Sequence, residues 1–189
     1  MRKKTINFSV SPWAALFAGL TVYFMDGKTL LLLTVPVLAH EFGHLLCLRL
    51  LGCRICALQW ELSGLCIRYS GDPGRWGHAV AALAGPIAGL IYAWLAARFG
   101  PDGELTAGIS LLLSAFNLIP ALPLDGGRAA QALIGCRKAK DLSITAALLT
   151  AVFGMFLFLH RKGAGLLIAG LFLLPAQFRH GISSASSPD

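Results

Sequence analysis

His40-Glu41-Phe42-Gly43-His44 lies inside an apolar run from Thr29 to Leu51, and its reading decides that of the rest of the chain. On an α-helix, positions four apart share one face about one turn along, so both imidazoles can reach a single metal ion. Glu41 is turned by roughly 100° from His40, beside such a metal rather than on it. That is where a general base for an activated water belongs. Ionisable residues inside a membrane span cost roughly 2.5–3.5 kcal/mol each, so His40, Glu41 and His44 need a partner or a purpose. The plain alternative is an interior polar cluster satisfied by neighbouring helices, and metal ligation is the stronger reading.

The chain has 189 residues, 56% of them hydrophobic and 13% charged, with a mean hydropathy of +0.70. Soluble domains carry about 25% charged residues, so this chain lacks the polar surface needed to face water. It reads as an integral membrane protein with room for about six spans of about 20 residues. The net charge of +7 is spread over short loops, which points to membrane topology and argues against nucleic acid. Cys47, Cys53, Cys56, Cys66 and Cys136 are expected to be reduced thiols. Cys53-x-x-Cys56 has no second pair, so small apolar packing is preferred over a zinc ribbon.

Six spans are expected at about 12–25, 29–51, 76–99, 105–119, 142–160 and 163–178, within one domain covering 1–180. A Ser-rich tail, 181–189, is expected to be disordered. Met1-Arg2-Lys3-Lys4 before the first run looks like a signal peptide. No small-x-small site follows at Tyr23-Phe24-Met25-Asp26, so the run is read as an uncleaved span. Pro36 is positioned to kink the second span ahead of His40. Residues 53–70 alternate polar and apolar and break at Ser63-Gly64, which predicts a β-hairpin on the membrane surface or on neighbouring helices. Its edge could pair with an extended substrate, or it could be a mere connector. Gly85 and Gly89 in the third span have the spacing that lets helices approach closely in lipid. Arg137-Lys138-Ala139-Lys140 reads as a basic loop, and Gly163, Gly165 and Gly170 weaken the last span. With the amino terminus in the cytoplasm, most Lys and Arg fall at cytoplasmic ends, leaving Lys28, Arg98, Arg161 and Lys162 outside. The expected fold class is an all-α membrane protein: a polytopic bundle of about six transmembrane helices with a small membrane-surface β-hairpin.

The fourth span ends in Asn117-Leu118-Ile119-Pro120-Ala121-Leu122-Pro123-Leu124-Asp125-Gly126-Gly127-Arg128, where two prolines and two glycines forbid a continuous helix. Broken backbone at membrane depth is tolerated only where protein buries it or water reaches it. A catalytic zinc takes three protein ligands and keeps one open position. His40 and His44 supply two, and Asp125, the one acidic residue of the broken segment, is the best third; His78 is the alternative ligand. Two His and one carboxylate favour zinc, one ion per chain.

The HEFGH of the second span, the Ala84-Gly85-Pro86 of the third and the Asn117 to Gly126 segment resemble the site-2 protease family of intramembrane zinc metalloproteases. The six-span layout without an inserted PDZ domain is most similar to its stage IV sporulation protein FB-like branch. The resemblance covers roughly Pro12 to Leu133. It implies that His40, His44 and Asp125 bind Zn2+, that Glu41 is the catalytic acid and base, and that Asn117 and Pro123 hold substrate or shape the site. It also implies hydrolysis of membrane-spanning or membrane-associated protein substrates, in regulated intramembrane proteolysis. The expected partners are such a substrate and the lipid bilayer, with room for a regulatory membrane protein or a homo-oligomer. The expected location is a bacterial cytoplasmic membrane, with the amino terminus and the active site toward the cytoplasm. A metal transporter or a catalytically silent metal-binding membrane protein is the competing reading. A transporter would spread His and Asp over several spans, and a silent binder would often have lost Glu41.

Overall fold

The computed structural model describes residues 7–61 and 64–179. Arg2, Lys3 and Lys4, Ser63 of the hairpin turn and the expected tail at 181–189 lie outside the described residues. The chain divides into two compact units, residues 1–116 and 117–189.

The first unit opens with β1 (Asn7–Val10) and α1 (Pro12–Phe24). Ser11 caps α1 by accepting a hydrogen bond from the Ala14 amide at 3.2 Å, and Pro12 stands where a missing N–H costs nothing. The helix α2 (Gly27–Leu50) starts at Asp26. Asp26 Oδ1 accepts from the Lys28 and Thr29 amides at 3.0 Å, and Oδ2 accepts from the Thr29 hydroxyl at 2.6 Å. These bonds, that of the Thr29 hydroxyl first, hold the Asp26 carboxyl below its ordinary value. The helix is continuous through the buried Pro36, so the expected kink does not end it.

β2 (Arg54–Glu61) and β3 (Gly64–Ser70) form the expected hairpin, antiparallel with Leu58 opposite Ile67. Ile55, Ile67 and Tyr69 pack on Leu48, Cys53 and Ala81, so one face of the hairpin rests on helices. Sequence patterning missed β1, which pairs in parallel with β2 and makes a three-stranded sheet in the order β1-β2-β3. One edge of β2 is therefore taken by this chain's own strand, and the hairpin edge left for another chain is that of β3.

α3 (Gly74–Ala96) packs closely on α2: a side chain at Gly43 would collide with the Ala84 backbone and the Ala88 side chain. Gly85 faces the His44 ring of α2. Gly89 faces Ser110 and Ser114 of α4 (Gly100–Asn117), so the two small residues of the motif serve different neighbours. Thr106, Ser110 and Ser114 recur every four residues and form a buried stripe on α4. The Thr106 hydroxyl donates to the Leu32 carbonyl at 2.9 Å, and the Ser110 hydroxyl donates to that of Gly89 at 2.8 Å.

In the second unit an irregular run, 118–124, leads into α5 (Asp125–Ile134), α6 (Cys136–Leu159) and α7 (Gly165–Arg179). The expected basic loop at Arg137–Lys140 is instead the first turn of α6. Lys, Arg and Ala are good helix formers, and the break falls at Gly135, whose φ of +83° only glycine adopts readily. Gly170 is a point of close approach to the Ala151 backbone rather than a weakness of the last helix.

Among the described residues, three helices are long and apolar enough to cross a membrane: α2, α3 and α6. α1 and α7 are shorter apolar helices. The chain is thus a mostly helical membrane protein with a small sheet, and all five cysteines are free thiols.

Candidate metal centre

His40 and His44 stand one turn apart on the same face of α2, with His40 only 4% exposed. His44 Nδ1 lies 2.8 Å from the Ala81 carbonyl of α3. A carbonyl only accepts, so Nδ1 carries the proton of the neutral ring and Nε2 carries the lone pair. A metal-ligating His typically has its far nitrogen held in this way, which fixes both tautomer and ring orientation. The two Nε2 atoms are 3.2 Å apart. Two nitrogens on one tetrahedral zinc at about 2.0–2.1 Å would be separated by about 3.3 Å, so the pair fits the ion.

The α3 helix leaves the His44 ring no slack. A Cβ at Gly85 would stand 2.5 Å from Cε1 and 2.7 Å from Cδ2, inside van der Waals contact. Glu41, the next residue after His40, sends Oε1 toward the start of β3, 3.5 Å from the Leu65 amide. The hairpin thus reaches the candidate base.

His78 is engaged away from the histidine pair. Its Nδ1 bonds the Tyr69 hydroxyl at 2.8 Å, and its Nε2 faces Asp72 Oδ1 at 3.4 Å. This cluster ties β3 to the start of α3.

In the second unit Asp125 opens α5, 7% exposed, where the positive end of the helix dipole favours a carboxylate. Gly126 and Gly127 follow because the run 118–124 folds back over them. Side chains there would overlap the Leu118 and Ile119 carbonyls and the Ala121 backbone. Asn117 is the last residue of α4, and Pro123 follows a cis peptide in the irregular run.

Sequence reasoning missed the groups that hold these residues: the Ala81 carbonyl, the Leu65 amide, and Ser143 and Gln177 around Leu122. Gln177 alone carried a signal, as a polar amide after the apolar run 165–176 of α7.

The Peptidase family M50 model matches residues 104–160. A Synechocystis sp. protein provisionally named zinc metalloprotease sll0528 is 31% identical over 128 residues, which is 62% of this chain and 34% of that protein. The chain thus spans about a third of the length of the curated relative it matches. Among solved structures, the site-2 protease from Methanocaldococcus jannaschii superposes with a TM-score of 0.61 at 23% identity, covering 87% of this chain and 84% of that one. The fold is therefore that of a site-2 protease, a helical membrane architecture. The chain thus shares the fold of a site-2 protease, and its segment 104–160 is similar to Peptidase family M50.

Proposed function

We propose that the protein is an intramembrane zinc metalloendopeptidase that cleaves membrane-spanning or membrane-associated protein substrates. In this reading one zinc ion is held by His40, His44 and Asp125, three donors of the kind a catalytic zinc takes. The observation that carries it is the Nε2 pair at 3.2 Å, with His44 Nδ1 committed to the Ala81 carbonyl. The match of residues 104–160 to Peptidase family M50 and the name of the Synechocystis relative support the same chemistry.

Zinc in such a site brings the pKa of water toward about 7 and polarises a peptide carbonyl. The rest falls to this chain's own residues. Glu41 takes a proton from the attacking water and passes it to the leaving amine, so that water adds across the amide and yields a carboxylate and an amine. The broken backbone around 118–124 admits water and substrate at membrane depth, with Asn117 and Pro123 shaping that passage. A helical substrate hides its peptide bonds in its own hydrogen bonds. An unwound segment added along β3 would run past Glu41, because the first residues of β3 adjoin its carboxylate. α1, α4 and α7 complete six spans in this reading. The bias of Lys and Arg toward one set of helix ends and connections supports an amino terminus and a site toward the cytoplasm of a bacterial membrane.

The test is the zinc content of detergent-purified wild type, Asp125→Ala and Glu41→Gln, with hydrolysis of a membrane-spanning reporter in vesicles. About one zinc per chain is expected in wild type and Glu41→Gln and none in Asp125→Ala, with hydrolysis by Glu41→Gln reduced by about 10²–10⁴. Folded wild type that takes up no zinc from a zinc-replete medium would overturn the reading. Zinc retained in full by Asp125→Ala would remove that residue from the ligand set.

A further inference from the structure

Two buried polar side chains of the second unit have no part in the chemistry described above. Ser143 of α6 is 0% exposed and Gln177 of α7 is 2% exposed, in two helices of largely apolar composition. Both close on one residue, Leu122. The Leu122 amide donates to Ser143 Oγ at 2.6 Å, and Gln177 Nε2 donates to the Leu122 carbonyl at 2.5 Å. Ser143 Oγ donates in turn to Gln177 Oε1 at 2.5 Å, and Gln177 Nε2 also reaches the Leu173 carbonyl at 2.9 Å. Both N–H donors of the Gln177 amide head are therefore used, and its oxygen accepts from Ser143.

Leu122 lies in the run that no helix satisfies, three residues before Asp125. Backbone at that point needs partners supplied by protein, and the chain supplies them from two separate helices. From Leu122 onward the path to Asp125 has little freedom. The Leu124 amide donates to the Ala121 carbonyl at 2.9 Å, the Arg128 amide donates to the Leu124 carbonyl at 3.0 Å, and Gly126 and Gly127 press against the run itself. The bonds to Leu122 tie this folded-back segment to α6 and α7.

We propose that Ser143 and Gln177 form a side-chain clamp on Leu122 that positions Asp125 for metal ligation. The inference rests on Asp125 being the third ligand. Partners one step removed from a metal typically govern its affinity by about 10–100-fold, because a misplaced ligand binds poorly. The clamp acts through backbone rather than through a side-chain bond to the ligand. Ser143 and Gln177 are thus positioning residues.

The test compares wild type with Gln177→Met, Ser143→Ala, Thr106→Val and Asp125→Ala, all purified in detergent. Zinc affinity is read by chelator competition, ligand geometry by the visible absorption of the cobalt-substituted protein, and folding by thermal unfolding. Gln177→Met keeps the volume and removes the bonds, and it should weaken zinc by about 10–100-fold with a shifted cobalt spectrum. Ser143→Ala should move both readouts in the same direction and decides the matter alone if Gln177→Met does not fold. Thr106→Val removes a buried clamp elsewhere and should leave affinity and spectrum as in wild type. Equal weakening in Thr106→Val would mean general loosening and overturn the proposal. So would wild-type affinity and spectrum in both Ser143→Ala and Gln177→Met while Asp125→Ala loses metal. Metal retained in full by Asp125→Ala would instead overturn the ligand assignment, and the clamp's role with it.

Discussion

Gly85→Ala tests how firmly α3 sets the His44 ring. The added Cβ would collide first with Nε2 and stand 2.5 Å from Cε1, whereas ordinary contact begins near 3.4 Å, so ring or helix must retreat by more than about 0.9 Å. The ring cannot retreat without straining the 2.8 Å bond from Nδ1 to the Ala81 carbonyl. A displacement of about 1 Å near reacting atoms costs on the order of 10²-fold in rate, and disturbing a ligand's orientation costs about 10–100-fold in metal affinity. Propensity acts in the opposite direction, because alanine is better than glycine in a helix by about 0.5–1 kcal/mol. Overpacking a tight site costs about 1–3 kcal/mol, so the collision should prevail and stability should fall. The assay is zinc affinity by chelator competition alongside thermal unfolding, with Gly108→Ala as the control. Gly108 is exposed on α4 and a Cβ there meets nothing within 4 Å, so that variant should bind zinc normally and unfold no earlier than wild type. If Gly85→Ala kept wild-type zinc affinity and stability, the argument that α3 holds the ligand by close contact would be refuted.

His78→Ala should retain its zinc and lose some stability, because His78 bonds Tyr69 and faces Asp72; metal analysis showing loss of zinc would restore it as a ligand. Asp26→Ala should lower the thermal stability of the protein at neutral pH, where the ionised cap of α2 is fully in place. The folded-state carboxyl lies below its ordinary 3.8, so the cap's contribution is present above that value and is lost as pH falls through the folded value. The difference in unfolding temperature between wild type and Asp26→Ala should therefore shrink on acidification, and a difference that grew would contradict the assigned cause.

His40, Glu41 and His44 were legible because helical spacing converts a five-residue pattern directly into a shared face, and apolar flanks make charge there costly. The hairpin was legible because alternation with a Gly break is equally local. β1 was not, since its four residues acquire meaning only from pairing with Ala57 to Trp60, far along the chain. Nor was the helical first turn of α6, where charge suggested a loop although propensity and Gly135 placed the break earlier. The span count depends on helix lengths, and among the described residues only α2, α3 and α6 reach membrane length with sufficient apolar character.

The sequence by itself determined the membrane setting, the shared helical face of His40 and His44 and the broken segment before Asp125, because composition and local periodicity act over a few residues. Only the tertiary structure decided which carbonyl orients His44, which glycine makes room for its ring and which buried side chains hold Leu122. Those choices depend on contacts between residues as far apart as Leu122 and Gln177, which close only when separate helices pack together.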